Sequence, residues 1–224
     1  MISVELLKPL VIVMVGLLSA SVFLLWLKAR KNKKSEPAKT RKNSKWSMEL
    51  LMSLEWKRYE EICKAFLTMT EKGRFNVDVT NTGADGGIDL KLTNKKDKLV
   101  GVGQCKAWSG MVGVAPIREL YGVMASEQIK IGYFFTTSSF SADAIQFAKD
   151  KITLITGREQ IKTIESLTSE QQNDLYRIAT AGDYTTPTCP NCDKKMIRRQ
   201  SNEKAFWGCS NYPRCKNILQ IRKS

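Results

Sequence analysis

The stretch from Gly83 to Lys106, GADGGIDLKLTNKKDKLVGVGQCK, limits what the middle of this chain can become. Two runs of strand-forming residues, Ile88 to Thr93 and Leu99 to Trp108, flank a polar turn, the pattern of two paired β-strands. Gly86, Gly87, Gly101 and Gly103 leave room for close backbone approach. Neighbouring residues of a strand point to opposite faces, so Gln104 and Lys106 share one face and Cys105 looks to the other. Pairing brings Asp89 near them, and a carboxylate, an amide oxygen and an ammonium converge. Oxygen ligands suit Mg²⁺, which keeps several waters and accepts substrate phosphate oxygens. The lysine orients water or steadies phosphate charge, and the Cys105 carbonyl is a further candidate ligand. The plain alternative is an ordinary strand pair that happens to carry a lysine.

The flanking segments read as an α/β layered domain with a mixed sheet over residues 47–165. A helix starts at Ser47, with Met52, Trp56, Tyr59, Cys63 and Phe66 on one face and Gly73 as its stop. Glu60 lies beside that face. Phe75, Val77 and Val79 alternate as a first strand. Val114 to Glu127 is a helix with Pro116 in its first turn. Ile131 to Thr136 is apolar enough for a strand covered on both faces. Ser141 caps a helix that runs through Ala148, and Ile152 to Ile155 is a last strand. Thr137 and Ser138, at a hydroxyl-rich strand end, either contact a DNA backbone or make a turn, and Arg118 either touches phosphate or forms a surface ion pair. Residues 166–187 are polar, a linker or a short packing helix.

Between Trp56 and Ile161 the chain resembles the catalytic domain of Mrr-type restriction endonucleases, a branch of the PD-(D/E)xK nuclease fold. The resemblance rests on ordered blocks: Tyr59-Glu60, GADGGIDL at 83–90, Gln104-Cys105-Lys106, VAPIRELYGVM at 114–124, FFTTSSFSADAIQFA at 134–148 and LITG at 154–157. It implies a mixed sheet flanked by helices and a DNA-cutting site made by Asp89, Gln104 and Lys106. Glu60 approaches the metal in such nucleases, and as a bare residue it is equally a surface glutamate. Gln104 stands where many nucleases of this fold carry a second carboxylate. A neutral ligand leaves the site one negative charge poorer, which implies weaker metal binding.

Cys189-Pro-Asn-Cys192 and Cys209-Ser-Asn-Tyr-Pro-Arg-Cys215 offer four thiolates in two close pairs, a spacing that suits tetrahedral Zn²⁺. With all four ligands from the protein, such a site is structural. Residues 188–224 resemble the zinc ribbon repeated at the C-terminus of bacterial type I topoisomerases, through CPNC, AFWGC at 205–209 and SNYPRC. Asp193 departs from the glycine usual there, which reshapes the first knuckle without removing a ligand. Lys194, Lys195, Arg198, Arg199 and Arg214 surround Trp207 and Tyr212, and cations interleaved with aromatics suit single-stranded DNA. Phe206 and Trp207 also compete for the ribbon's small core.

After a short leading segment, residues 1–9, Leu10 to Leu27 runs without a charge. Its 18 residues would span roughly 27 Å as a helix, close to the thickness of a bilayer's hydrocarbon core. Nine Lys/Arg follow in the basic linker 28–46, which places the C-terminal bulk in the cytoplasm. The expectation is a single-pass anchor in the bacterial inner (cytoplasmic) membrane, its basic flank against anionic lipid. The formal net charge is +14. Residues 1–46 carry +8 and 166–224 carry +5, so the central domain is nearly neutral. There is no histidine, which removes HNH-type nuclease chemistry and Ser-His-Asp catalysis.

Together these readings predict a membrane-anchored, Mg²⁺-dependent DNA endonuclease with a structural Zn²⁺. Double-stranded DNA is its substrate, single-stranded DNA a partner of the ribbon, and a homodimer would cut both strands. The rivals are a non-cutting DNA-binding or membrane-tethering protein, and an enzyme acting on RNA.

Overall fold

The computed structural model describes residues 45–80, 87–201 and 204–221. The expected membrane span Leu10–Leu27 and the bend at 83–86 lie outside them. No helix among the described residues is long and apolar enough to cross a membrane.

The helix expected from Ser47 is two helices, α1 (Met48–Ser53) and α2 (Trp56–Thr70). Leu54 and Glu55 are extended, and Glu55 starts α2 by accepting the Lys57 N–H on its side chain. The break turns Met52 off the apolar face, where it is 39 % exposed. Five strands follow: β1 (Asn76–Val79), β2 (Leu90–Thr93), β3 (Leu99–Lys106), β4 (Ile131–Thr136) and β5 (Thr153–Thr156), in the spatial order β1-β2-β3-β4-β5. The first three pair antiparallel, with Leu90 opposite Gly103, and β3, β4 and β5 pair in parallel. Helices α3 (Val114–Ser126) and α4 (Ala142–Ala148, capped by Ser141) make the crossovers that parallel strands require. Strand β5 runs directly into α5 (Gly157–Ser166), and α6 (Ser169–Ala179) follows.

Alternation along β4 explains its nearly complete burial. Tyr133 and Phe135 join the core under α2, with Tyr59, Ile62, Cys63 and Phe66. Phe134 joins the core under α3 and α4, with Ile117, Leu120 and Ala144. Each fully buried phenylalanine contributes about 2–3 kcal/mol of apolar transfer. At Gly132 a Cβ would run into the end of the Met124 side chain, which would have to move for any larger residue to fit under α3.

The N-terminal boundary of the domain lies earlier than expected. Trp46, expected in the linker, is buried and donates its indole N–H to Gln172 O at 3.3 Å, so the domain begins before Ser47. Of the two readings of residues 166–187 the packing helix is the one seen: α6 buries Leu175 and Ala179 in the α2-side core, and Arg58 donates to Ile178 O and Ala181 O at its end.

The chain ends in a second sheet, β6 (Met196–Ser201), β7 (Lys204–Cys209) and β8 (Ile218–Gln220), antiparallel throughout. Catalytic-type domain and ribbon form one unit from Lys45 onward.

Candidate active site and zinc centre

Asp89 sits just before β2, where its backbone N–H donates to Gly103 O at 2.9 Å and fixes it at the β3 edge. Its Oδ2 accepts the backbone N–H of Cys105 at 2.7 Å. Burial pushes the Asp89 carboxyl up from its ordinary value, opposed by that N–H and by the Lys106 charge. Glu60 arrives from the second turn of α2 and is 8 % exposed. Burial first, then the Asp89 charge, raise it to about 8. Asp89, Glu60, Cys105 and Lys106 line one cleft of about 520 Å³. Glu60 is therefore a buried residue of the cleft and not a surface glutamate.

Gln104 is 4 % exposed and does not line that cleft. Among the described residues its Oε1 is buried without a hydrogen-bond partner, and its amide nitrogen lies 2.9 Å from where a Cβ on Gly87 would stand. An unpaired buried carbonyl costs about 1–3 kcal/mol, so this oxygen is available to a ligand or a water. The Cys105 thiol packs into the α2-side core, as alternation requires, and burial raises it far above its ordinary value. Its main-chain N–H, which sequence reasoning did not single out, is the group that holds Asp89.

In the ribbon the sulfurs of Cys189, Cys192, Cys209 and Cys215 all lie within 4.8 Å of one another. Cys189 and Cys215 are 3.7 Å apart, and Cys192 and Cys209 are 3.3 Å apart. A tetrahedral Zn²⁺ with bonds of about 2.3 Å puts its sulfurs about 3.8 Å apart. Neither distance is a disulfide. Burial opposes the Cys189 thiolate, but N–H groups of Asn191, Cys192 and Asn217 outweigh it and bring the thiol down to about 6.

The family model for the Mrr-type catalytic domain, described as restriction endonuclease, matches residues 51–185. The chain belongs to that family. A second model, a topoisomerase DNA-binding C4 zinc finger, matches residues 186–224. The type IV methyl-directed restriction enzyme EcoKMrr of Escherichia coli strain K12 is 33 % identical over 105 residues, which is 46 % of this chain and 34 % of that protein. DNA topoisomerase 1 of Methanocaldococcus jannaschii is 49 % identical over 35 residues, 16 % of this chain and 5 % of that one. Among solved structures, the DNA modification-dependent restriction endonuclease AspBHI aligns over 60 % of this chain and 39 % of its own, with 19 % identity and a TM-score of 0.43. The chain therefore spans about a third of the curated restriction enzyme that it matches.

The Mrr-type domain and its zinc ribbon are clamped together at the start of α2. Glu55 is 5 % exposed. Its carboxylate accepts Thr188 N–H at 3.2 Å, Thr188 Oγ1 at 3.0 Å and Lys195 Nζ at 3.2 Å. The Trp56 indole donates to Thr188 O at 2.7 Å. Asp193, at φ 58, has the left-handed backbone that makes glycine usual there, and its carboxylate pairs with Lys57. The departure from glycine is thus matched by a contact to the nuclease domain.

This clamp revises several expected DNA contacts. Lys195 is spent on Glu55 and on Thr186 O, so it locks the ribbon in place instead of facing DNA. Thr137 is buried and donates its hydroxyl to Trp108 O at 2.7 Å, and Ser138 Oγ donates to Gly110 O at 2.6 Å. These hydroxyls fold the loop after β3. Arg118 is exposed and lies 5.4 Å over the Phe147 ring, on the α3–α4 side. Lys194, Arg198, Arg199 and Arg214 are exposed on the ribbon, with Arg199 5.9 Å over the open ring of Tyr212. Trp207 packs against the cysteine cluster and also lines the Asp89 cleft.

Proposed function

We propose that this chain is a Mg²⁺-dependent endonuclease that hydrolyses DNA phosphodiester bonds, gripped to its substrate by the ribbon. The observation that carries the reading is the meeting of Asp89, Glu60 and Lys106 in one cleft of a restriction-endonuclease-family domain. The donors fit a hard cation: two carboxyl groups line the cleft, and a Gln104 oxygen with no partner among the described residues is buried nearby in β3. Asp89 and Glu60 would hold it, and the Gln104 oxygen, buried behind the cleft, would join them only through a water. Bound there, a divalent cation neutralises phosphate charge and lowers the pKa of a water.

The chain's own groups do the rest. The Cys105 N–H pins one Asp89 oxygen and leaves the other for a ligand. The Lys106 ammonium sits where it can orient the attacking water or offset charge growing on the phosphate. Glu60, which burial and the Asp89 charge push up to about 8 in the empty cleft, would be drawn into its ionised form by the cation. Lys194, Arg198, Arg199 and Arg214 meet phosphates along the strand, and their contacts weaken with salt.

The membrane anchor belongs to the same proposal, supported by the charge-free Leu10–Leu27 and its basic flank. It sets the catalytic domain on the cytoplasmic face of the inner membrane, and a homodimer there would cut both strands. Carbonate-resistant membrane pelleting of the full chain supports the anchor, and recovery in the soluble fraction refutes it. For the nuclease, purified full-length protein is offered methylated and unmethylated plasmid with Mg²⁺ or EDTA. Mg²⁺-dependent nicking that is lost in Asp89→Ala and Lys106→Ala supports it. DNA binding without cutting of plasmid, bubbled duplex or single strand means a tethering protein instead.

A further inference from the structure

The zinc ribbon supplies a wall of the catalytic cleft. Three of the chain's five tryptophans line that cleft: Trp56 and Trp108 from the Mrr-type domain and Trp207 from the ribbon. Trp56 is held by its indole bond to Thr188 O, and Trp108 lies 5.7 Å under the Lys106 ammonium with 46 % of its surface open. Leu219 and Ile221 of the ribbon complete the apolar side. A second cleft of about 480 Å³ shares Trp56 and Glu60, and its far wall is the first zinc knuckle at Pro190 to Asp193. The ribbon thus flanks Glu60 on two sides.

A cleft of about 520 Å³ is of the size that encloses a small ligand, with room for one or two nucleotides. Flat aromatic rings beside a lysine suit an unstacked base and its phosphate. We infer that the strand presented to Asp89 and Lys106 is unpaired, its base seated among Trp108, Trp56 and Trp207, so that the ribbon makes the enzyme prefer single-stranded, bubbled or frayed DNA over intact duplex. The inference rests on the nuclease reading and adds its substrate class.

The test uses the full chain and three end-labelled DNAs of one sequence: a perfect duplex, a duplex with a five-base bubble, and the single strand. Bubble and single strand are expected to be cut at least about tenfold faster than duplex, and Trp207→Ala is expected to erase about tenfold of that preference, the effect of one lost base–aromatic stack. Trp207→Phe restores most of it. Trp108→Ala, outside the ribbon, repeats the loss if the ribbon variant fails to retain zinc. In EDTA, a 2-aminopurine placed in the bubble is expected to be quenched by wild type and less so by either alanine variant. Equal cutting of duplex and bubble, or an unchanged ratio in both variants, overturns the inference while leaving the nuclease standing. Quenching lost in the variants, with no cutting of any DNA, keeps the seated base and removes the nuclease reading. Absence of quenching by wild type overturns the inference whatever is cut.

Discussion

The carboxylate of Asp89 and the backbone N–H of Cys105 are 2.7 Å apart, a bond that ties the start of β2 to the end of β3. The bond needs only an acceptor oxygen at residue 89. Asp89→Asn therefore keeps it while removing the charge. The variant is expected to melt within a few degrees of wild type and to lose at least about a hundredfold in cleavage, the scale on which electrostatic groups act at reacting phosphates. Thermal melting beside initial nicking rates separates the two effects. A variant that still cuts within threefold of wild type removes Asp89 from the site.

Glu60 makes stability depend on pH. Its folded-state value of about 8 lies above its ordinary 4.5, so between those limits the folded chain binds a proton that the unfolded chain has lost. The contribution is fully present below about pH 4.5 and is lost as pH rises through about 8. Without added metal, Glu60→Gln should be more stable than wild type at pH 8.5, by about 1–3 kcal/mol, and nearly equal at pH 5. Denaturant melts at the two pH values decide it, and an advantage that grows toward acid would refute the assignment.

Glu55 is a buried acid with donors from both domains. Glu55→Ala strips the partners from Thr188 N–H and Thr188 Oγ1 and leaves Lys195 without its carboxylate. A loss of about 2–4 kcal/mol is expected, concentrated at the ribbon junction. Hydrogen exchange should quicken at Thr188 and Met196 and leave β4 protected. Uniform loss of protection would mean that Glu55 supports the whole fold instead.

Chelation should unfold the ribbon selectively, because a small metal domain folds on its ion. Metal analysis of the full chain is expected to give about one Zn per chain, and removing it should lower cleavage even when Mg²⁺ is replenished. Cleavage unaffected by zinc loss would make the ribbon dispensable for chemistry.

Local pattern carried much of this fold. Strand alternation and the glycines announced the β2–β3 pair, and the cysteine spacing announced the ribbon. The joint between them was silent, because Glu55 meets Thr188 across 133 residues and no periodicity reports such a pairing. Thr137 and Lys195 misled for the same reason: a hydroxyl or a lysine reads as free until the fold shows what it has been bonded to. Trp56 and Trp108 were read as helix face and strand end, and only the tertiary fold sets them beside Trp207. Asp193 did leave a trace, since an aspartate in a glycine position signals a left-handed residue with a second use.

The wall that Trp207, Leu219 and Ile221 give the cleft comes after the catalytic domain in the chain, and the Cys209 and Cys215 beside it must find zinc before it stands. During synthesis Asp89 and Lys106 are therefore made first and enclosed last. The cleft thus gains its last wall only after the second cysteine pair has been made, so the folding of the ribbon sets when the Asp89 groove is closed on that side.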